Sequence, residues 1–237
     1  MIGGYFDGNI MITAIMGVGS GPRGRQNHVM DADELLTTTR TVRRRLDLTR
    51  PVPLELVREC LEIALQAPSG SNRQTWQWLV ITDPGLKAAI GDVYRRAVAA
   101  YLASSGAAGK LFADDPERAP VQRRVGTSVE YLGEHMGDVP VLVIPALRGR
   151  LPAGNQAGLW GSVLPAAWSF MLAARARGLG TAWTTLHLTH EREVASLLGL
   201  PDDVHQAALI PTAYYTGTSF QKAHRLPLDD VLHLNGW

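Results

Sequence analysis

The sequence predicts a single α+β domain in which a mixed β-sheet is flanked by helices. Residues 31–237 alternate between helix and strand patterns, without the regular strand–helix succession of a doubly wound sheet. The same range contains no internal repeat and no domain linker. Residues 159–176 are apolar nearly all round, which predicts a buried central helix. Because one small chain could hardly cover such a helix alone, we also expect an obligate dimer.

The first half of this domain reads as three helices and one strand. Residues 31–36 open a short helix, and residues 52–67 form an amphipathic helix that Pro68 ends. Alternating apolar residues at 76–80 predict a strand, and a helix follows from Pro84 to about residue 103. Residues 104–119 are rich in Gly, Asp and Pro, so we expect a surface excursion there, and residues 104–124 are a candidate lid.

The second half supplies most of the sheet. Residues 139–146, "VPVLVIPA", have the pattern of a buried strand, and the central helix follows. Residues 178–188, "GLGTAWTTLHL", begin with a glycine stop and continue as a Thr- and Trp-rich strand. Residues 191–198 form a helix that Gly199 terminates, and residues 206–215 form another strand. The last residues are expected to be an extended tail, and residues 1–30 a Gly-rich flexible extension.

Composition excludes several classes of protein. Among 237 residues 46% are hydrophobic and 19% charged, and the formal net charge is +1, which argues against a general nucleic-acid coat protein. The single cysteine, Cys60, rules out an intrachain disulfide and fits a reducing cytoplasm. No Cys/His cluster has zinc-ligand spacing, and no apolar run reaches the ~20 residues of a membrane span. We therefore expect a cytoplasmic protein without metal, membrane or nucleic-acid partners.

Four short stretches could carry chemistry, although each has an ordinary structural explanation. "RTVRRR" places Arg40, Arg43 and Arg44 close together, which suits a phosphate dianion but also a solvated basic surface or an RNA-binding patch. "APSGSNRQTW" follows a helix with hydroxyl and amide groups, and "GLGTAWTTL" permits tight backbone geometry. "KAHRLP" adds Arg225 near the end. No dinucleotide-binding glycine motif and no nucleophile elbow accompanies them.

The order of these stretches resembles the FMN-dependent nitroreductase family, and its actinobacterial branch looks closest. "TRTVRR" resembles the opening R-[ST]-[VI]-R element, and "APSGSNRQTW" resembles the A-P-S-x-x-N-x-Q-P-W element, which is the most specific of the four. "GLGTAWTTL" and "HRLP" are similar to the late glycine-rich strand and the closing basic element. The resemblance covers residues 31–237 and implies a nitroreductase-like FMN-binding domain that forms an intertwined homodimer with FMN at the subunit interface.

The resemblance also implies which residues contact the cofactor. Arg40, Thr41 and Arg225 would hold the phosphate and ribityl end, and Arg43 would lie near the pyrimidine edge. The spacing of "RRRLD" fits the family with either Arg43 or Arg44 in that place. The implied contacts to the ring and ribityl chain are Pro68, Ser69, Ser71, Asn72, Thr184, Thr185 and Leu186. Trp160 is a candidate wall of the substrate pocket, and two positions depart from the family pattern, Thr39 for Arg and Thr75 for Pro.

The implied function explains why these stretches contain no acid, base or nucleophile. In the family, NAD(P)H reduces FMN, and nitroaromatic or quinone-type acceptors are then reduced by ping-pong hydride transfer through flavin N5. The protein needs only to bind, orient and polarise, so no catalytic residue is expected. Two alternatives stay open: a specialised flavin enzyme of the same fold, dehalogenase-like or flavin-cleaving, and a non-catalytic flavin-sequestering protein.

Overall fold

The computed structural model describes residues 30–218 and 220–237. The expected extension, residues 1–30, lies outside this range except for Met30. Within it the structure has six α-helices and five strands. In chain order these are α1 (Ala32–Thr38), α2 (Leu54–Ala64), β1 (Trp76–Ile81), α3 (Pro84–Ala103), α4 (Arg118–His135), β2 (Val141–Arg148), α5 (Ala157–Ala176), β3 (Leu179–Thr181), α6 (Glu191–Leu198), β4 (Val204–Gln206) and β5 (Ile210–Tyr214).

The five strands form one sheet in the order β1-β2-β5-β3, with β4 paired to β2 beyond the end of β5. Every pairing between these named strands is antiparallel, for example Val80 with Val143 and Gly180 with Ala213. The parallel component is one bridge, between Thr41 and Thr181. The predicted α+β class with a sheet flanked by helices is confirmed.

Strand β2 separates two apolar layers because its alternate side chains face opposite sides of the sheet. Val141 and Val143 pack with α2 and α5 residues such as Val57 and Phe170. Leu142 and Ile144 pack with the layer that contains α3 and α4. The first seven residues of β2 are buried, as expected for a strand covered on both faces.

Helix α5 begins at Ala157, close to the predicted start, and is long and apolar enough to cross a membrane by length and composition. Only 44% of its most apolar window is buried within the chain. Its inner face, including Ala166 and Phe170, is fully buried against the sheet and α2. Leu164 and Trp168 remain exposed on its outer face. The helix is therefore a core helix on one side and an uncovered apolar surface on the other.

Two predicted strands are shorter than expected, and one predicted surface segment extends into a helix. Residues 104–117 are mostly exposed and belong to no α-helix or strand, as expected for a surface excursion, although Ala107 and Ala108 are buried. The candidate lid at 104–124 extends into a regular helix, because α4 starts at Arg118. The predicted strand at 206–215 is divided into β4 and β5, because Leu209 leaves β2 and exchanges two backbone hydrogen bonds with Thr184. The strand expected at 178–188 is likewise limited to β3, and a 3₁₀ helix occupies Leu186–His190.

Candidate active site

The segment from Arg40 to Arg45 is fixed along the edge of β3. The Val42 N–H donates to the Thr181 carbonyl at 2.8 Å, next to the parallel bridge of Thr41. Val42 is buried against Gly180, where a Cβ would approach the Val42 side chain to 3.1 Å. Because the backbone is held by β3 and Val42 points into the core, the neighbouring arginine side chains project from a rigid segment.

These arginines line a basic cavity of about 430 Å³ beneath the start of the C-terminal tail. Arg40 Nη1 donates to the Gln221 carbonyl at 3.3 Å. Phe220 lies between two guanidiniums, those of Arg45 and Arg175, each 4.4 Å from its ring centroid. Among the residues that the structure describes, no carboxylate lines this basic cavity, so it is suited to an anion. Its lining residues are Arg40, Thr41, Val42, Arg43, Arg44, Arg45, Ser128, Phe220, Gln221 and Lys222.

Arg43 points inward, whereas Arg44 stays at the surface. Arg43 Nη1 donates to Ser128 Oγ at 3.1 Å, and its Nε is buried without a hydrogen-bond partner among the described residues. Burial lowers the pKa of the Arg43 guanidinium, an effect that Tyr94 and Tyr101 oppose. Arg44 is exposed and lies 5.9 Å from the Tyr131 ring centroid. Of the two alternatives, Arg43 is therefore the one that enters the interior of the site.

Arg43 also lines a second, smaller cavity of about 190 Å³, which contains Thr184, Thr185 and Leu186. Thr184 is fixed because its hydroxyl and its N–H both donate to the Leu209 carbonyl, at 3.0 and 3.2 Å. Tyr94 forms the buried wall, and burial raises the pKa of its hydroxyl, partly offset by a hydrogen bond with Thr184 and the charge of Arg43. The predicted stretches that contain Arg43 and Thr184–Leu186, which are distant in the sequence, therefore meet at the Arg43 guanidinium.

The loop from Pro68 to Asn72 lies elsewhere in the chain. Ser71, Asn72 and Gln74 have positive φ values near 50°, a strained conformation for residues with a Cβ. The Gly70 N–H donates to Ser162 Oγ of α5 at 3.0 Å, and Gln74 donates to Ser69 and Asn72 at 2.8 and 2.9 Å. Gly70 and Ser71 line a third cavity of about 540 Å³ that shares no residue with the basic cavity.

The remaining predicted residues lie at two further cavities. Trp160 lines a mainly apolar cavity of about 390 Å³ together with Trp183, Leu164 and Thr185. Its indole N–H donates to Gln156 Oε1 at 3.0 Å, which fixes the ring. Arg225 faces α4, in a cavity with Arg118 and Gln122, and is not among the residues of the basic cavity.

Comparison with known proteins identifies the family. Residues 36–214 match the sequence model of the Nitroreductase family. The chain belongs to the nitroreductase family. This nitroreductase chain is 32% identical over 221 residues to the NADH dehydrogenase of Thermus thermophilus, covering 86% of this chain and 96% of that one. It is 29% identical over 193 residues to the chloronitrobenzene nitroreductase of Comamonas testosteroni, covering 72% and 81%.

A solved structure of iodotyrosine deiodinase bound to FMN and 3-iodo-L-tyrosine has the same fold as this nitroreductase chain. The TM-score is 0.67 at 23% identity, and the match covers 86% of this chain and 99% of the other. The fold class predicted from the sequence is therefore confirmed by an independent comparison. Family membership and the two enzyme relatives together support an oxidoreductase.

Several residues of this nitroreductase site were not predicted. Tyr94, Tyr101 and Ser128 come from α3 and α4, and Phe220 and Gln221 come from the tail. In the sequence, Tyr94 places a hydroxyl on an otherwise apolar helix face, which could have marked it as a site residue. No local sequence pattern, however, connects Tyr94 with Arg43. Within the described parts of the chain, no group of three or more His, Cys, Asp or Glu residues could hold a metal ion.

Proposed function

We propose that this chain is an FMN-dependent oxidoreductase that uses NAD(P)H to reduce nitroaromatic or quinone-type acceptors as a cytoplasmic homodimer. The observation that carries the proposal is Arg43, a cation shared by the basic cavity and the cavity of Thr184–Leu186. When bound, FMN supplies two-electron hydride chemistry between a nicotinamide donor and an oxidised acceptor. The residues around FMN then need only to bind and polarise the flavin and to orient the donor and the acceptor against it.

The basic cavity suits the phosphate end of FMN. It presents Arg40, Arg44 and Lys222 without an opposing carboxylate, and planar guanidiniums bind phosphate through paired hydrogen bonds. Arg40 and Thr41 would hold the phosphate and ribityl end. Arg43, with its buried and unpartnered Nε, would place positive charge beside the pyrimidine edge of the flavin, where it stabilises an anionic reduced form.

The position of the 68–72 loop supports a homodimer. Pro68, Ser69, Ser71 and Asn72 are predicted flavin contacts, yet within one chain this loop and the basic cavity have no lining residue in common. A second copy that covers the outer face of α5 would bring its own loop to the basic cavity of the first. The exposed side chains of Leu164 and Trp168 on that face supply the apolar surface that a stable interface buries. Arg225 would then reach the phosphate from the tail.

The apolar cavity is the candidate acceptor site. Trp160 and Trp183 provide flat aromatic walls, and Thr185 connects this cavity to the one that contains Arg43. Planar nitroaromatics and quinones bind well between such walls, because ring stacking needs little directional hydrogen bonding. Glu191 and His205 also line the apolar cavity, but both are engaged elsewhere: Glu191 Oε1 accepts from the Gln206 N–H at 2.8 Å, and His205 Nε2 lies 3.0 Å from the Gly149 carbonyl oxygen. We therefore propose that orientation of the acceptor, rather than an acid or a base, supplies most of the rate enhancement.

The experiment is a reductive titration of the purified protein. We expect it to bind FMN and to lose the flavin absorbance near ~450 nm on anaerobic addition of NADPH or NADH, with recovery on addition of a nitroaromatic or a quinone. A colourless protein that ignores added FMN would contradict the proposal. Halide release from an iodophenol would indicate the dehalogenase-like alternative, and flavin loss in air the flavin-cleaving one. Flavin binding without oxidation of either nucleotide by any acceptor would indicate sequestration.

A further inference from the structure

The third cavity, between residues 70–75 and 150–162, is called here the second basic cavity. Its residue Ser71 is a predicted flavin contact, but its two arginines have no role in the proposed flavin site. Its volume is about 540 Å³, and two guanidiniums line it, those of Arg73 and Arg150. No aspartate or glutamate is among its lining residues. The other polar groups at its surface are hydroxyl and amide side chains, from Ser71, Thr75, Asn155 and Ser162.

Both arginines of the second basic cavity are without an acidic partner. Within the described residues, neither guanidinium makes a hydrogen bond or an ion pair. Arg148, two residues before Arg150, contrasts with them, since its Nε bonds to Asp203 Oδ2 at 3.1 Å. Both side chains are exposed, so solvent screens their mutual repulsion, and their guanidiniums are free to bind an anion together.

The backbone around Arg73 is held rigidly. Asn72 and Gln74, on either side of it, both have positive φ, and the side chain of Gln74 donates to Asn72 Oδ1 at 2.9 Å. The Gly70 N–H bond to Ser162 Oγ ties the same loop to α5, across the cavity. A loop that is cross-linked in this way positions Arg73 with little loss of conformational entropy when a ligand binds.

We propose that the second basic cavity binds the 2′-phosphate of NADPH and so makes NADPH the preferred electron donor. NADPH and NADH differ only by this phosphate monoester on the adenosine ribose, and arginine is the residue that accommodates it in other nucleotide sites. FMN carries a phosphate monoester too, but the proposed function places that group in the basic cavity, at Arg40 and Thr41. The inference rests on that proposed function, since it assigns one phosphate to each basic cavity.

Steady-state kinetics with both nucleotides test the inference. The wild type should show a higher kcat/KM for NADPH than for NADH. The double variant Arg73→Gln/Arg150→Gln should lose about 10- to 100-fold in kcat/KM for NADPH, corresponding to two lost charge-assisted hydrogen bonds, with NADH changed by less than about twofold. Arg192→Gln, an exposed arginine on α6, is the matched control and should change neither value.

The measured affinity for FMN distinguishes the two phosphates that the second basic cavity could bind, the FMN phosphate and the 2′-phosphate of NADPH. We expect the double variant to bind FMN as the wild type does. A large loss of FMN affinity would assign the cavity to the flavin phosphate and overturn the inference. An equal loss with NADPH and NADH, or a wild type that prefers NADH, would overturn it as well.

A binding measurement keeps the inference testable apart from turnover. Adenosine 2′,5′-bisphosphate should bind the wild-type protein in calorimetry about tenfold or more tightly than adenosine 5′-monophosphate, and the double variant should abolish this difference. A protein that oxidises neither nucleotide would contradict the proposed function. The calorimetric comparison would still show whether this cavity binds a 2′-phosphate. Equal binding of the two adenosine probes to the wild type would show that the cavity does not read the 2′-phosphate.

Discussion

Arg43 and Arg44 are adjacent in the sequence but have different surroundings, and this difference gives a prediction at the scale of single residues. Arg43 is half-buried, bonds to Ser128 and lines two cavities, whereas Arg44 is exposed and lines one. We expect Arg43→Gln to weaken FMN binding by about 10- to 100-fold, the usual effect of losing a charge-assisted hydrogen bond in a desolvated site. Arg44→Gln should weaken it by less than about fivefold, because solvent screens its charge.

Fluorescence titration of the apoprotein with FMN measures both effects. Arg43→Lys serves as the control for charge alone, since lysine keeps the positive charge but lacks the planar fork, and it should recover only part of the affinity. Equal effects of the Arg43 and Arg44 substitutions would show that the basic cavity acts only through its total charge. The Arg43 assignment would then be wrong.

His187 gives a second prediction at this scale, and it concerns stability. The side chain is fully buried behind Leu186, and neither ring nitrogen has a hydrogen-bond partner among the described residues. Burial lowers the pKa of His187 from 6.5 to about 4. Between these two pH values the unfolded chain binds a proton that the folded chain does not. The free energy of unfolding should therefore fall by about 1.4 kcal/mol for each pH unit below 6.5, and this contribution should level off near pH 4.

Urea denaturation at several pH values measures this slope. The range should run from about one unit above the ordinary pKa of 6.5 to just above the folded-state pKa of about 4. His187→Phe keeps an aromatic ring in the core and removes the titrating group, so its stability should depend less on pH in this window. The same slope in His187→Phe and wild type would mean that other groups dominate acid unfolding.

At the scale of elements, the sequence predicts best where apolar periodicity and capping agree. The predicted bounds of α3 and α6 coincide with those of the structure, since Asp83 and Pro84 fix the start of α3 and Gly199 adopts the left-handed conformation after α6. The central helix α5 was predicted to within two residues, because its apolar composition is visible without knowledge of its neighbours.

Helix α4 was missed because it packs through small residues. Its buried positions include Gly126 and Gly133, which contribute almost nothing to an apolar pattern. A Cβ at Gly126 would lie 3.1 Å from the Gly109 Cα, and a Cβ at Gly133 would lie 2.8 Å from Val98 Cγ1. Such close contacts depend on both of the elements that pack together. They have no local signal in either sequence.

The divided strand β4–β5 shows the same limit for strand pairing. Leu209 leaves β2 because it pairs with Thr184, a residue 25 positions earlier. That pairing fixes the wall of the smaller cavity that Arg43 and Thr184 line. The predicted site residues were therefore correct as local stretches, but their grouping could not be read from the sequence. Arg43 meets Thr184 and Tyr94 through long-range packing, and the 68–72 loop stays apart from them within one chain.

At the scale of the whole molecule, helix α5 determines the expected assembly. This helix is apolar enough to span a membrane by length and composition, yet part of it is uncovered in the single chain. The side chains of Leu164 and Trp168 are 37% and 39% exposed. The last residues add more uncovered apolar surface, including Leu234 and the fully exposed Trp237. A second copy would bury both surfaces, and dimers of this kind usually bury well over ~2,000 Å². The proposed flavin site depends on this assembly, because the 68–72 loop would come from the partner.

The prediction is that dimerisation and FMN binding are lost together. In light scattering the wild type should have twice the chain mass of 25.7 kDa. Trp168→Glu places a charge in the proposed interface and should give a monomer that binds FMN at least ~100-fold more weakly, since leaving a buried charge unpaired costs several kcal/mol. Leu197→Glu is the control, because that α6 side chain is also 37% exposed but lies on a different helix. It should keep both the dimer and the cofactor. A wild-type monomer that binds FMN tightly, or a Trp168→Glu dimer, would show that the two halves of the site do not come from two chains.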